Sequence, residues 1–178
     1  MLTATYSIVA LKLEQKKVRW NFSTLQSYIL CSIKNLKNAS GIEIESMLNR
    51  LSQFENYCQQ RKVKIFVIPA LRNITHEADT LLDELESLSA ASLAILRSLR
   101  AKLQQAISKG ALMVDEVCAS IQLCCSNIYQ RLRKEEELVA IAERVIPGEA
   151  WFGIAASFMS HDVKSGKLLI PQAQDEEE

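Results

Sequence analysis

A long amphipathic helix that ends at a Pro-Gly break is the feature that most constrains the fold of this chain. Between residues 114 and 146 apolar side chains recur at spacings of three and four, which indicates a helix with one buried face. Glu135 lies on this face. An ionised carboxylate there is costly unless it is paired or bound to a metal, so the partner of Glu135 is the central question. The apolar positions are Val114, Cys118, Ile121, Cys125, Ile128, Leu132, Val139, Ala142 and Ile146.

Three further stretches have the same periodicity, and turn-forming residues separate them. Pro69 lacks an N–H and clashes with the preceding turn, so it should kink or end the second helix. Thr75 is a suitable N-cap for the third helix. We therefore predict helices over residues 3–37, from 41 to the kink or end at Pro69, 75–109, 111–145 and 149–159.

The length and order of these helices predict the fold class. Only 5 glycines and 3 prolines occur in 178 residues, which favours long helices with few turns. Long helices joined by short connections pack as antiparallel neighbours. We expect an all-α protein, an up-down-up-down four-helix bundle with a short fifth helix, forming a single domain over residues 1–160. Residues 161–178 lose the periodicity and end in an acidic run, so we expect a flexible tail there.

Composition and charge exclude several classes of partner. The 21 basic and 21 acidic residues give a formal net charge of zero, so no basic field predicts nucleic-acid binding. No run of about 18 uncharged apolar residues predicts a membrane span, and the first residues do not have the pattern of a secretory signal. The odd count of five cysteines predicts free thiols and a cytoplasmic location, with Cys118 and Cys125 buried on the apolar stripe.

Each predicted helix carries polar residues near its middle, on or beside its apolar face. Four facing helices would bring several of these side chains to one layer of the core, which is where bundles build cofactor and metal sites. The polar residues are Gln15, Arg61, Ser89 with Ser92, and Glu135 with nearby Arg131.

Several local phrases of the chain resemble the hemerythrin-like domain family, whose bundles hold a pair of iron ions. The two most specific are RLRKEEELVAIAE in the fourth helix and FENYCQQRKVKIFVIPAL in the second. The phrases PGEAWFGIAASF, ALRNITHEADTLLDELESL and LEQKKVRWNFSTLQSYI are similar to the family's closing helix, its link into helix three and part of its first helix. The resemblance covers about residues 4–160 and implies the bundle fold.

The chain departs from the family at the positions of the metal ligands. Only Glu135 remains as a residue of ligand type there, and neither His76 nor His161 falls on a ligand position. The resemblance therefore implies a vestigial site, with no metal and no cofactor. The ligand positions fall on Gln15 in helix one, on Gln59, Gln60, Arg61, Val63 and Lys64 in helix two, on Ser89 in helix three, and on Arg131 and Glu135 in helix four.

We expect Arg61 or Arg131 to pair with Glu135 across the core, where the pair would replace the metal and neutralise the buried acid. The alternative is that the helix boundaries are shifted by a position, in which case these charges are ordinary solvated residues.

Three functions follow from these features. The first is a non-catalytic binding or regulatory protein whose partner is an unknown protein or small ligand, with a surface around Trp151 and Phe152 unless these aromatics only cap the core. The second is a metal- or small-ligand-binding sensor of iron, oxygen or redox state. The third, an enzyme, is disfavoured because no Ser-His-Asp set, Gly-rich phosphate loop or HExxH is present. The donors that would remain for the second function are Glu14, Gln15, Cys58 and Glu135.

Overall fold

The computed structural model describes residues 2–34, 41–109 and 114–164, and within these ranges the protein is helical throughout, with no strand. The predicted all-α class is confirmed. None of the described helices is both long and apolar enough to cross a membrane. The elements are α1 (Leu2–Lys34), α2 (Gly41–Gln59), a π-helical turn (Val63–Val67), α3 (Ile68–Ile74), α4 (Asp79–Lys109), α5 (Val114–Val145) and α6 (Gly148–Lys164).

The helices pack through their apolar stripes. Helix α4 packs extensively against α5, while α1 contacts α2, α5 and α6, and α2 also contacts α4. Two ion pairs show the relative chain directions of α4 and α5. Lys102 on α4 pairs with Glu116 on α5, and Glu77 before α4 pairs with Arg144 near the end of α5, so these two helices are antiparallel.

The buried apolar side chains form two clusters rather than one continuous core. The first cluster joins α1, α2, α4 and α5, and the second joins α1, the π-helical turn, α3, α4, α5 and α6. Members of the first include Val18, Phe22, Met47, Leu51, Phe54, Cys58, Leu96, Leu99, Ile121, Cys124, Ile128 and Leu132. Members of the second include Leu11, Val63, Val67, Leu71, Leu82, Leu85, Leu138, Val139, Ala142, Trp151 and Phe158.

The second predicted helix is interrupted before Pro69, so the prediction that it continues from residue 41 to Pro69 is wrong. Helix α2 ends at Gln59, and Pro69 lies in the first turn of α3, directly after the π-helical turn, whose carbonyl of Val63 accepts a hydrogen bond from the N–H of Ile68. The carbonyl of Arg61 accepts hydrogen bonds from the backbone N–H groups of Lys64 and Ile65 as the π-helical turn begins. Because this wider turn changes the angular positions of its side chains, Ile65 within it is exposed, whereas Val63 and Val67 are buried.

Two other helix ends differ from the sequence prediction. Helix α4 starts at Asp79, four residues after the predicted cap, although the Thr75 hydroxyl does accept a hydrogen bond from the N–H of Glu77 at 3.1 Å. Helix α6 extends to Lys164, five residues beyond its predicted end at Met159. Three other predictions lie outside the described residues. They are the end of the first helix at residue 37, the start of the fourth helix at residue 111, and the tail after residue 164.

Candidate functional site

The polar residues predicted to share a layer lie between the two apolar clusters. On each long helix, the chain passes from one cluster to the other at the position of a buried or half-buried polar side chain. Gln15 falls between Leu11 and Val18, and Glu135 between Leu132 and Leu138. The other polar residues at this boundary are Arg61 on the segment after α2, and Ser89 and Ser92 on α4.

Arg61 and Glu135 form a buried ion pair at this boundary. Nη1 of Arg61 donates to Oε2 of Glu135, and the two side chains are 1% and 9% exposed. The break at Gln60 and Arg61 positions the arginine, since the chain turns there and both Arg61 and Val63 point inward. The carboxylate on the buried face of α5 therefore has a cationic partner from another element. The alternative that these two side chains are solvated is wrong.

A second buried ion pair lies beside the first. Nη1 of Arg131 donates to Oε2 of Glu55 at 2.6 Å, and Nε of Arg131 is 3.8 Å from Oε1 of Glu135. Burial lowers the pKa of the Arg131 guanidinium, but the neighbouring Cys58, Glu55 and Glu135 outweigh this effect and the pKa is raised. The guanidinium therefore stays charged. Two arginines and two glutamates, called the charge layer below, balance each other's charges within the core.

Glu55 was missed by the sequence reasoning. It is fully buried, four residues after Leu51 and three before Cys58, so it lies on the apolar stripe of α2. That spacing is the signal that could have identified it.

Ser89 lies on α4 and contacts both α2 and the charge layer. Its hydroxyl oxygen accepts a hydrogen bond from Nε2 of Gln59 at 3.0 Å and lies 3.5 Å from Nη1 of Arg131. A cavity of about 20 Å³ adjoins these groups, with room for about one water molecule. Its lining residues are Cys58, Gln59, Lys64, Ile68, Leu85, Ser89, Arg131 and Glu135.

Gln15 is buried as predicted, but it is not joined to the charge layer by a hydrogen bond. Neither atom of its amide group has a hydrogen-bond partner among the described residues. Of the polar residues predicted to share a layer, the structure therefore brings Arg61, Ser89, Arg131 and Glu135 into one bonded group. It leaves Gln15 and Ser92, whose buried hydroxyl has no hydrogen-bond partner among the described residues, apart from that group.

The charge layer does not fit a di-iron centre. Iron sites of this kind need imidazole and carboxylate ligands, and the two carboxylates here are already engaged by guanidinium groups. A metal cation could bind either carboxylate only by displacing its guanidinium partner. Within the described ranges, no group of three or more His, Cys, Asp or Glu side chains is arranged to hold a metal ion.

Cys58 lies beside the charge layer as an unreactive thiol. Burial raises its pKa to about 11, and burial likewise raises the pKa values of Cys124 to about 12 and of Cys125 to about 11. All five cysteines are free, as predicted. Cys125 is buried, also as predicted, whereas Cys118 is only half-buried because the apolar face of α5 there includes Val117 and Cys124.

These environments predict the order in which the thiols react. At pH 8 a thiol with a pKa of about 11 is roughly one part in a thousand thiolate, and the thiolate is the nucleophile. We expect iodoacetamide to modify exposed Cys31 first, half-buried Cys118 more slowly, and the other three only after unfolding in urea. Intact-mass and peptide mass spectrometry over time would measure this order. Modification of Cys58 in the folded protein as fast as Cys31 would contradict the burial described here.

The two aromatic residues at the start of α6 have different environments. Trp151 is 2% exposed and packs in the second cluster, whereas Phe152 is 62% exposed. The interpretation that these aromatics cap the core therefore holds for Trp151 and not for Phe152.

No protein-family model, curated protein or solved structure matches this chain.

Proposed function

We propose that this protein is a non-catalytic binding or regulatory protein, built on an up-down-up-down bundle of the hemerythrin-like type in which ion pairs replace the metal site. The observation that carries the proposal is the charge layer. Two arginines lie where the resemblance places histidine ligands, at Arg61 and Arg131, and each binds a buried glutamate. A core layer filled in this way supplies neither open coordination positions nor an accessible acid or base.

The bundle arrangement is supported by contacts between the long helices. Helix α1 pairs with α5 through Arg19–Glu136 and Lys12–Glu143, so its chain direction opposes that of α5. Arg100 on α4 donates to the side chains of Asn49 and Ser52 on α2, while Gln59 near the end of α2 reaches Ser89 earlier on α4. These pairs are the contacts of antiparallel neighbours, as an up-down-up-down bundle requires.

The chemistry of the layer supports a role without catalysis. General acid–base work needs a group that can exchange a proton with a substrate, and nucleophilic catalysis needs an activated nucleophile. Here the glutamates are bound by permanently charged guanidinium groups, and the nearest thiol, Cys58, has a pKa of about 11. The free thiols support a cytoplasmic location, since such thiols persist in reducing compartments.

Metal analysis tests this proposal. We expect protein purified from cells grown with added iron and zinc to hold well below one metal ion per chain and to show no visible absorption band. Plasma emission spectrometry and a visible spectrum would measure both. A stoichiometric metal in the natural protein would overturn the proposal, because the layer would then have to be open to a cation.

A matched variant sharpens the same test. The double substitution Arg61→His and Arg131→His removes both guanidinium groups and leaves two imidazoles beside Glu55 and Glu135. Imidazole and carboxylate together suit zinc and iron. We expect this variant to take up divalent zinc in a titration where the natural protein does not. Equal uptake by both proteins would show that the arginines do not exclude the metal.

A further inference from the structure

Helix α1 has a second apolar stripe on the side opposite the core. Four large apolar side chains lie on it, although each is about half or more exposed, and Trp20 is 75% exposed. The core face of the same helix is formed by other residues, among them Leu11, Val18 and Phe22. The stripe consists of Tyr6 (54% exposed), Val9 (48%), Leu13 (60%) and Trp20 (75%).

The spacing along this stripe is that of a helix-pairing seam. Tyr6, Val9, Leu13 and Trp20 occupy alternating three- and four-residue steps if Lys16 is included between Leu13 and Trp20. A strict seven-residue repeat keeps side chains in a narrow line that a second helix can follow. A helix that lies in a membrane interface instead buries a broad apolar face, and a narrow line that includes Lys16 does not fit that mode.

The charged residues at the positions that border the stripe are all basic. Lys12, Lys17 and Arg19 occupy the positions next to the seam, which in paired helices face charged residues of the partner. Lys16 and Lys17 have no ion-pair partner within the described part of the chain, and Lys12 and Arg19 form only exposed pairs with α5. Such exposed pairs contribute about 0.2–1 kcal/mol each and can be exchanged for others.

We propose that the outer stripe of α1 is the docking surface for an amphipathic helix of a partner protein, with apolar residues at heptad spacing and acidic residues beside them. The inference rests on the proposed binding role and names its partner chemistry. A second copy of this chain is a poor occupant, because pairing α1 with itself would place Lys12, Lys17 and Arg19 against like charges. An acidic helix places carboxylates against the same three residues and against Lys16.

A binding assay with two synthetic peptides tests this surface on the full chain. Both peptides are three-heptad helices with leucine on the seam; one has glutamate beside the seam and the other has lysine. We expect the acidic peptide to bind and the basic one not to bind, measured by fluorescence anisotropy of a label on the peptide. Binding should also shift the emission of Trp20 to the blue, since the other tryptophan, Trp151, is already buried.

Variants with a matched control locate the binding. Leu13→Glu should weaken acidic-peptide binding at least about tenfold, because it places a charge on the seam. Leu123→Glu, at a leucine on α5 of similar exposure, should leave it unchanged. The double variant Lys16→Glu and Lys17→Glu leaves only Lys12 and Arg19 as basic residues beside the seam, so it should lose the preference for the acidic peptide. Circular dichroism melting would show that all variants remain folded.

Other outcomes would overturn the inference and leave the metal result untouched. Equal binding of both peptides, or no effect of Leu13→Glu, would show that the surface does not select acidic helices. Binding to phosphatidylserine vesicles with loss in Leu13→Glu, but none to the acidic peptide, would assign the stripe to an anionic membrane. A dimer in sedimentation that Leu13→Glu dissociates would assign it to a second copy. Metal content tests the proposed function separately, so the two failures are distinguishable.

Discussion

Glu135→Ala should lower the free energy of unfolding by about 3–5 kcal/mol, because it leaves Arg61 buried at 1% exposure without its carboxylate partner. The nearby contact to Nε of Arg131 would be lost as well. The transfer of an unpaired charge into an apolar interior accounts for most of the expected loss. Urea unfolding, followed by circular dichroism and analysed by linear extrapolation, would measure it.

The neighbouring glutamates are the matched controls for this measurement. Glu136 forms an ion pair with Arg19 at 2.9 Å in which both side chains are substantially exposed, and Glu137 is exposed. We expect Glu136→Ala and Glu137→Ala to change the free energy of unfolding by less than about 1 kcal/mol. Equal, small losses from all three substitutions would mean that Glu135 is solvated and that the charge layer does not exist in solution.

Removing the whole charge layer should have the opposite result from removing one member. A quadruple variant, Glu55→Leu, Arg61→Met, Arg131→Met and Glu135→Leu, replaces both pairs by apolar side chains of roughly similar size. Because burying four charges has a desolvation cost that their attraction only partly offsets, we expect this variant to be at least as stable as the natural protein. The gain should be up to about 4 kcal/mol in the free energy of unfolding.

The same urea experiment measures the quadruple variant, and Arg131→Met alone is its control. The single variant leaves Glu55, which is fully buried, without a cation, so it should be strongly destabilised. A quadruple variant less stable than the natural protein would mean that the layer contributes net stability. In that case Ser89 and Gln59, which also bond within this region, would have to contribute much of it.

The sequence predicted the helices and most of the layer because both depend on local periodicity. The stripe of α5 identified Glu135 and its apolar neighbours, and that of α1 identified Gln15. Arg61 was also predicted to point inward, but that prediction assumed that the second helix continues as a regular α-helix past residue 61. Its inward direction comes instead from the break after Gln59, and the periodicity could not show that break because nothing in the residues there demands one.

The choice of partners could not be read from the sequence. Both arginines were candidates for Glu135, and the answer depended on Glu55. Glu55 binds Arg131 at 2.6 Å, which leaves Arg131 only a longer contact of 3.8 Å with Glu135, whereas Arg61 hydrogen-bonds to Glu135 directly. Competition between charges on different helices is a property of their three-dimensional arrangement. The exact start of α4 was missed for a related reason, since the N–H of Asp79 bonds to the carbonyl of His76 in a turn that Thr75 does not determine alone.

The division of the interior into two apolar clusters has a consequence for how the helices align along their axes. Leucine and isoleucine stripes are similar along their length, so apolar contacts alone would tolerate sliding one helix past another by a turn, about 5.4 Å. Such a slip would move Arg61 or Glu135 into one of the two apolar clusters and separate it from its ion-pair partner. We expect the four charges to forbid these shifted packings, so that they select a single axial register.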